Sequence, residues 1–225
     1  MGIEILKRDD LPLGGFAGLT EKRLIVDQKV GGYADTWNGI GSLVYLADAN
    51  FQPFGETRMH PHKEIDVISV MVEGNIAHEG SLEHGGSLSR NQVQVQRAGG
   101  EGFKHNEINP DDVENRMIQL WVLPENAGEP ASYKLYTPDE GKLNRVYGGK
   151  RGNPDYMDSH TIMEIGLFKN GEEFNVDGEA ILYLTRGTMS LKGQGQITDG
   201  DLIRGNDLSF EATSDDVQVI VIREE

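Results

Sequence analysis

Polar and apolar residues alternate strictly over 92–96 (QVQVQ), and short apolar runs recur along the rest of the chain between clusters of turn residues. Alternation at period two is the signature of a strand, whose successive side chains point to opposite faces. The pattern predicts strands over 41–47 (GSLVYLA), 67–72 (VISVMV), 75–79, 92–96, 117–122 (MIQLWV), 181–184, 188–192, 201–204 and 217–222. Segments with helical period are scarce. Glycine is abundant, 29 of 225 residues, and falls between the runs, so the joins are tight turns and the pairing antiparallel.

The runs form two sets that resemble each other. VISVMVEGNIAHE is echoed by ILYLTRGTMSLKG, an apolar strand meeting Glu73-Gly74 in one and Arg186-Gly187 in the other before a second strand follows. MIQLWV closes the first set and VQVIVI the second. The chain therefore reads as a tandem repeat of one β-unit, with a linker or loop predicted at 146–155 (VYGGKRGNPD). A repeated unit of short strands without helical crossovers favours a sandwich or jelly-roll barrel over a parallel sheet. The Gly-Gly-Lys-Arg-Gly in that loop lacks the Gly-Lys-Ser/Thr ending of a phosphate loop.

Composition narrows the chemistry. With 21 Lys and Arg against 37 Asp and Glu, the net charge of -16 opposes nucleic acid and anionic membranes as partners. No apolar run approaches the roughly 18 residues that span a bilayer. The start, MGIEILKRDDLPLGG, shows neither a basic segment leading an apolar core nor Ser or Thr at position 6, and a cytoplasmic location is expected. Cysteine is absent, which removes disulfides, thiolate nucleophiles and cysteine-ligated metals.

Histidine carries the candidate chemistry. His60 and His62 flank Pro61, and His105 and Glu107 flank Asn106. On a strand each pair presents both side chains to one face, so two such strands side by side close a four-ligand cage. Pro61 donates no ladder hydrogen bond, which puts its strand at an edge, a bulge or a strand start. Three imidazoles and a carboxylate suit iron(II), manganese, nickel, copper or zinc better than magnesium or calcium.

These residues carry a family resemblance. HPHKEID, VMVEG, NIAHEGS, AGGEGFKHNEINP and RMIQLWVLPE, in that order between about 41 and 125, resemble the pirin family of the cupin superfamily. The resemblance implies an all-β bicupin, two tandem antiparallel jelly-roll barrels, with a metal-binding unit at 1–144 and a second at 145–225. It also implies a metal, usually iron, held by His60, His62, His105 and Glu107. Bacterial pirins resemble quercetinases, dioxygenases that open a flavonol with molecular oxygen and release carbon monoxide. That implies a small aromatic substrate and O2, with Glu107 as the catalytic base. The other inheritance is a non-catalytic, redox-responsive metalloprotein acting through a protein partner.

The sequence departs from the pattern in two places. Asp66 stands where the first cupin motif often has Glu, and from about 144 onward the only histidine is His160, so no metal is expected there. His78 alternates with Ile76 and is a candidate pocket residue beside the reading of an ordinary core or surface histidine. His84 reads as loop surface, Tyr45 and Trp121 as core aromatics, and Asp111, Asp112 and Glu114 as a solvated loop.

Overall fold

The computed structural model describes residues 2–81 and 86–225. Its strands are antiparallel throughout the named pairings, and the helical elements among the described residues are two short 3-10 turns, Arg8–Asp10 and Gln28–Val30. The chain folds as two compact units, Leu11–Thr137 and a second made of Met1–Asp10 with Pro138–Glu225. The first residues join the second unit because Glu4–Lys7 pairs with Asp201–Ala212, Glu4 opposite Arg204. No helix among the described residues is long and apolar enough to cross a membrane.

The unit Leu11–Thr137 has two sheets. One orders its strands Ser132–Tyr136, Val93–Arg97, Asp66–Glu73, Asn115–Val122, Leu43–Phe51, Leu19–Val26 and Gly14–Phe16. The other orders His60–His62, Phe103–Ile108, Asn75–Gly80 and Ser87–Ser89. A core of Leu19, Phe51, Met71, Ile76, Leu88 and Met117 joins residues of both sheets. His60–His62 lies at a sheet edge, the place its proline requires.

The second unit is one eight-stranded sheet. Its path Asp201–Ala212, Glu173–Arg186, Val217–Glu224, Ser159–Phe168 and Leu143–Gly149 follows the order of Val93–Arg97, Asp66–Glu73, Asn115–Val122, Leu43–Phe51 and Leu19–Val26 in the first unit, with Glu4–Lys7 from the chain start in the place of Ser132–Tyr136. The tandem repeat is thus one topology used twice. The linker expected at 146–155 begins inside a strand, since Val146 and Tyr147 are fully buried and Tyr147 lies opposite Met163. Burial of that tyrosine outweighs the turn character of Gly148 and Gly149 beside it.

The repeated glycines share one reason. Gly74 (φ +75°) and Gly187 (φ +85°) adopt the left-handed region, and a β-carbon would approach Asn115 Cβ to 2.7 Å in the first and the Asp216 carbonyl oxygen to 2.6 Å in the second. Asn115 opens one closing strand and Asp216 immediately precedes the other. Gly187→Ala is therefore expected to destabilise the protein by about 1–3 kcal/mol, read as a lowered urea midpoint, with Gly74→Ala behaving alike.

Candidate metal centre

The pairing of Phe103–Ile108 with His60–His62 sets His105 directly opposite His60, and Phe103 opposite His62. On its other side the same strand sets Glu107 opposite His78. Cross-strand partners share a face, so all five polar side chains project together. The three Nε2 atoms of His60, His62 and His105 converge, that of His105 lying 3.0 Å from His60 and 3.1 Å from His62.

That spacing fits a cation. Two nitrogens each about 2.1 Å from one ion and at right angles to each other stand about 3.0 Å apart. His60 Nδ1–H donates to the Arg58 carbonyl oxygen at 2.8 Å, which holds the ring with Nε2 aimed at the others. Burial, and then the neighbouring imidazole charges, push His62 down to about 4, and burial pushes His105 down to about 3 against the pull of Glu107. Both rings are neutral at physiological pH, the form that ligates.

Glu107 is buried and turned toward His78. Its Oε1 lies 3.3 Å from His78 Nε2 and accepts from Ser69 Oγ at 3.4 Å, while its N–H donates to Thr57 Oγ1 at 3.0 Å. Burial alone would raise this carboxyl, but the His78 hydrogen bond and the surrounding imidazoles together hold it below the usual range. Two overlapping donor sets result, His60 with His62 and His105, and His78 with His105 and Glu107, and His105 belongs to both. The four residues expected to form one cage divide between these sets, the three histidines in one and Glu107 with His78 and His105 in the other. The alternation of Ile76 and His78 placed His78 on the inner face, but its partner depends on a register that no local pattern encodes.

These depressed values fix a pH dependence. Unfolded histidine titrates near 6.5, so His62 and His105 contribute stability that is complete above that pH and is lost as pH falls through about 4 and 3. The metal-free protein should show a falling urea midpoint over that window, and His105→Phe should flatten the fall.

Asp66 serves elsewhere. It is fully buried and takes Arg97 Nε at 3.1 Å and a second guanidinium nitrogen at 2.8 Å, while Arg97 also reaches Glu129 at 2.5 Å. The acid that replaces Glu in the first motif therefore anchors the sheet. Asp111 accepts from Asn75 Nδ2 at 3.0 Å, and Asp112 and Glu114 are exposed. His160 lies beside Glu224 on the surface, and His84 falls outside the described residues.

Among the described residues the second unit has no such centre, and its register shows why. The pair in the place of His60 and His105 is Phe174 opposite Phe210, their rings stacked at 5.0 Å, with Val176 and Ala212 two residues on in the same apolar core. Among the described residues both metal-competent sets lie in Leu11–Thr137.

The centre opens on a cavity of about 660 Å³ between the inner faces of the first unit's sheets, lined by His60, His62, His105 and Glu107 and by Phe16, Tyr45, Phe51, Met117 and Trp121. Tyr45 and Trp121, expected to be core, are walls of this space. That volume suits a small organic ligand rather than a polymer.

A tandem jelly-roll chain with a histidine-rich centre in its first unit is a bicupin. Residues 44–122 match the family model described as Pirin. A quercetin 2,3-dioxygenase of Escherichia coli O157:H7 is 24% identical over 212 residues, covering 82% of this chain and 89% of that protein. A candidate quercetin 2,3-dioxygenase of Zymomonas mobilis is 36% identical over 93 residues, only 41% of this chain and 39% of its own length. In fold the chain resembles the crystal structure of the bacterial pirin YhhW from Escherichia coli in complex with nickel(II), with a TM-score of 0.83 at 16% identity and 99% of each chain covered.

Proposed function

We propose that the protein is a metal-dependent dioxygenase, quercetin 2,3-dioxygenase-like, that acts on a flavonol or similar small aromatic with molecular oxygen. The observation that carries the reading is the convergence of three imidazole Nε2 atoms, that of His105 lying 3.0 Å from His60 and 3.1 Å from His62, at the wall of a small-molecule cavity. Similarity to proteins named quercetin 2,3-dioxygenase supports the reaction class. His60, His62, His105 and Glu107 would hold one divalent transition metal, with iron(II) the proposed ion and manganese, nickel, copper and zinc as alternatives. When bound there, such an ion would supply Lewis acidity toward a substrate hydroxyl and, for the redox-active metals, electron exchange with oxygen.

The chain's own residues do the rest. Glu107 is ionised at neutral pH and proton-free, so its carboxylate can take the hydroxyl proton of the substrate. To do so it must loosen its hydrogen bond to His78, and His78 and Ser69 set where it rests. Met117, Phe51 and Trp121 keep water from the reacting face and hold a flat ring against the histidines.

Glu107→Gln tests the assignment. It keeps the shape of the side chain but cannot accept the proton, so it should lower quercetin turnover by about 100-fold or more while changing metal content far less. Turnover is followed by loss of the flavonol's visible absorbance and metal by elemental analysis. A variant that retained full rate would remove Glu107 from the proton transfer.

A further inference from the structure

The cavity has a second polar end. Glu21 and Arg23, two residues apart on Leu19–Val26, project with Tyr45 into the same space that the histidines line. Glu21 is only 6% exposed, and its Oε1 accepts from Arg23 Nε at 2.8 Å and from a second guanidinium nitrogen at 2.7 Å. Tyr45 Oη donates to Glu21 Oε2 at 3.0 Å. Burial, and then the Glu21 charge, push the phenol up, so it remains a protonated donor. The Arg23 guanidinium, 39% exposed, also lies over the Tyr33 ring at 5.6 Å.

An aromatic wall connects the two ends. Tyr45 and Trp121 are directly opposite across neighbouring strands, their rings stacked at 4.4 Å, and Trp121 meets His62 edge-on at 5.8 Å. Trp121 Nε1–H is buried and finds no partner among the described residues. The ladders are irregular just beyond both places, between Arg23 and Ile25 and between Trp121 and Val122, and such bulges re-aim side chains beside binding sites.

Folding alone gives little reason for this arrangement. Glu21 and Arg23 lie on the face that carries Leu19, and removing an ion pair from water costs about as much as its attraction returns. The free valences are specific. A carboxylate offers about four acceptor positions, and three donors are in place, so one position on Oε2 is open. Arg23 retains N–H groups beyond the two that bind Glu21. An acceptor beside a donor matches two adjacent hydroxyls on one ring, whereas a carboxylate-bearing ligand would face the charge of Glu21.

We propose that Glu21, Arg23 and Tyr45 form a recognition subsite for adjacent phenolic hydroxyls on the distal ring of a flat multi-ring aromatic whose other end lies against His60, His62 and His105. This deepens the dioxygenase reading and rests on it. A site with buried hydrogen-bonding groups rejects analogues that leave them unpaired, so the subsite sets specificity.

The test separates binding from turnover. Protein loaded with one equivalent of zinc, which is redox-inert, is titrated anaerobically with quercetin, which has two adjacent hydroxyls on its distal ring, and with galangin, which has none there. Quenching of tryptophan fluorescence reports binding. Quercetin should bind about tenfold or more tightly than galangin, and Glu21→Gln and Tyr45→Phe should each bring quercetin close to the galangin value while leaving galangin unchanged. Equal affinities in the unaltered protein, full discrimination in both variants, or an equal loss of both ligands in both variants would overturn the subsite and leave the dioxygenase reading standing. Failure of the unaltered protein to bind either flavonol would overturn both.

Discussion

His105→Ala should abolish metal uptake and turnover together. His105 is the one residue common to both donor sets, and its Nε2 is the atom from which the other two histidine nitrogens lie 3.0 and 3.1 Å away. Losing an outer hydrogen-bond partner of a metal site typically weakens binding by about 10–100-fold, so losing the shared ligand itself should exceed about 100-fold. Competition with a chelator of known affinity measures it. His78→Ala is the contrast, since His78 belongs only to the set with His105 and Glu107, and metal should be weakened less than by His105→Ala. Equal effects of the two variants would mean that the second donor set, with His78, is where the ion resides.

Arg97→Met should be the most damaging substitution for stability, at about 3–5 kcal/mol. It would leave Asp66, fully buried on its strand, without the guanidinium that lies directly opposite it, and would strip Glu129 of the same partner. An uncompensated buried carboxylate carries the full desolvation cost. Replacing both Asp66 and Arg97 by apolar residues of similar size should recover most of that loss, because the pair's attraction and its desolvation nearly cancel. Urea unfolding of the single and double variants measures the difference.

How much of this was legible in the sequence depends on what each strand faces. The runs at 117–122 and 217–222 were visible because apolar residues fill most of their positions, and all six of the second are buried. Leu19–Val26 was missed because Glu21 and Arg23 occupy inward positions, so the hydrophobic period breaks where the cavity takes polar groups. Ser159–Phe168 was missed for a different reason: Ser159, His160, Thr161, Glu164 and Gly166 interrupt its apolar residues, so neither a continuous run nor an alternation marks it although most of the strand is buried.

The centre was more legible than its surroundings. Residues two apart on a strand share a face by geometry alone, so His60 with His62 and His105 with Glu107 could be paired from spacing. Which residues stand opposite them could not, because register is a non-local property. The contact of Glu107 with His78, the ion pair of Asp66 with Arg97 and the stack of Tyr45 on Trp121 all depend on it. The substitution of Phe174 and Phe210 for the paired histidines in the second unit became visible for the same reason only once the strands were aligned.

The central claim is that the three-histidine centre holds a metal for oxygen chemistry on a flavonol. Aerobic turnover of quercetin by protein carrying one equivalent of iron(II) per chain, with carbon monoxide measured in the headspace, tests it most directly. Carbon monoxide is expected in proportion to the flavonol consumed, with neither product nor consumption for His105→Ala. Absence of turnover at full loading with each of iron, manganese, nickel, copper and zinc would contradict the claim.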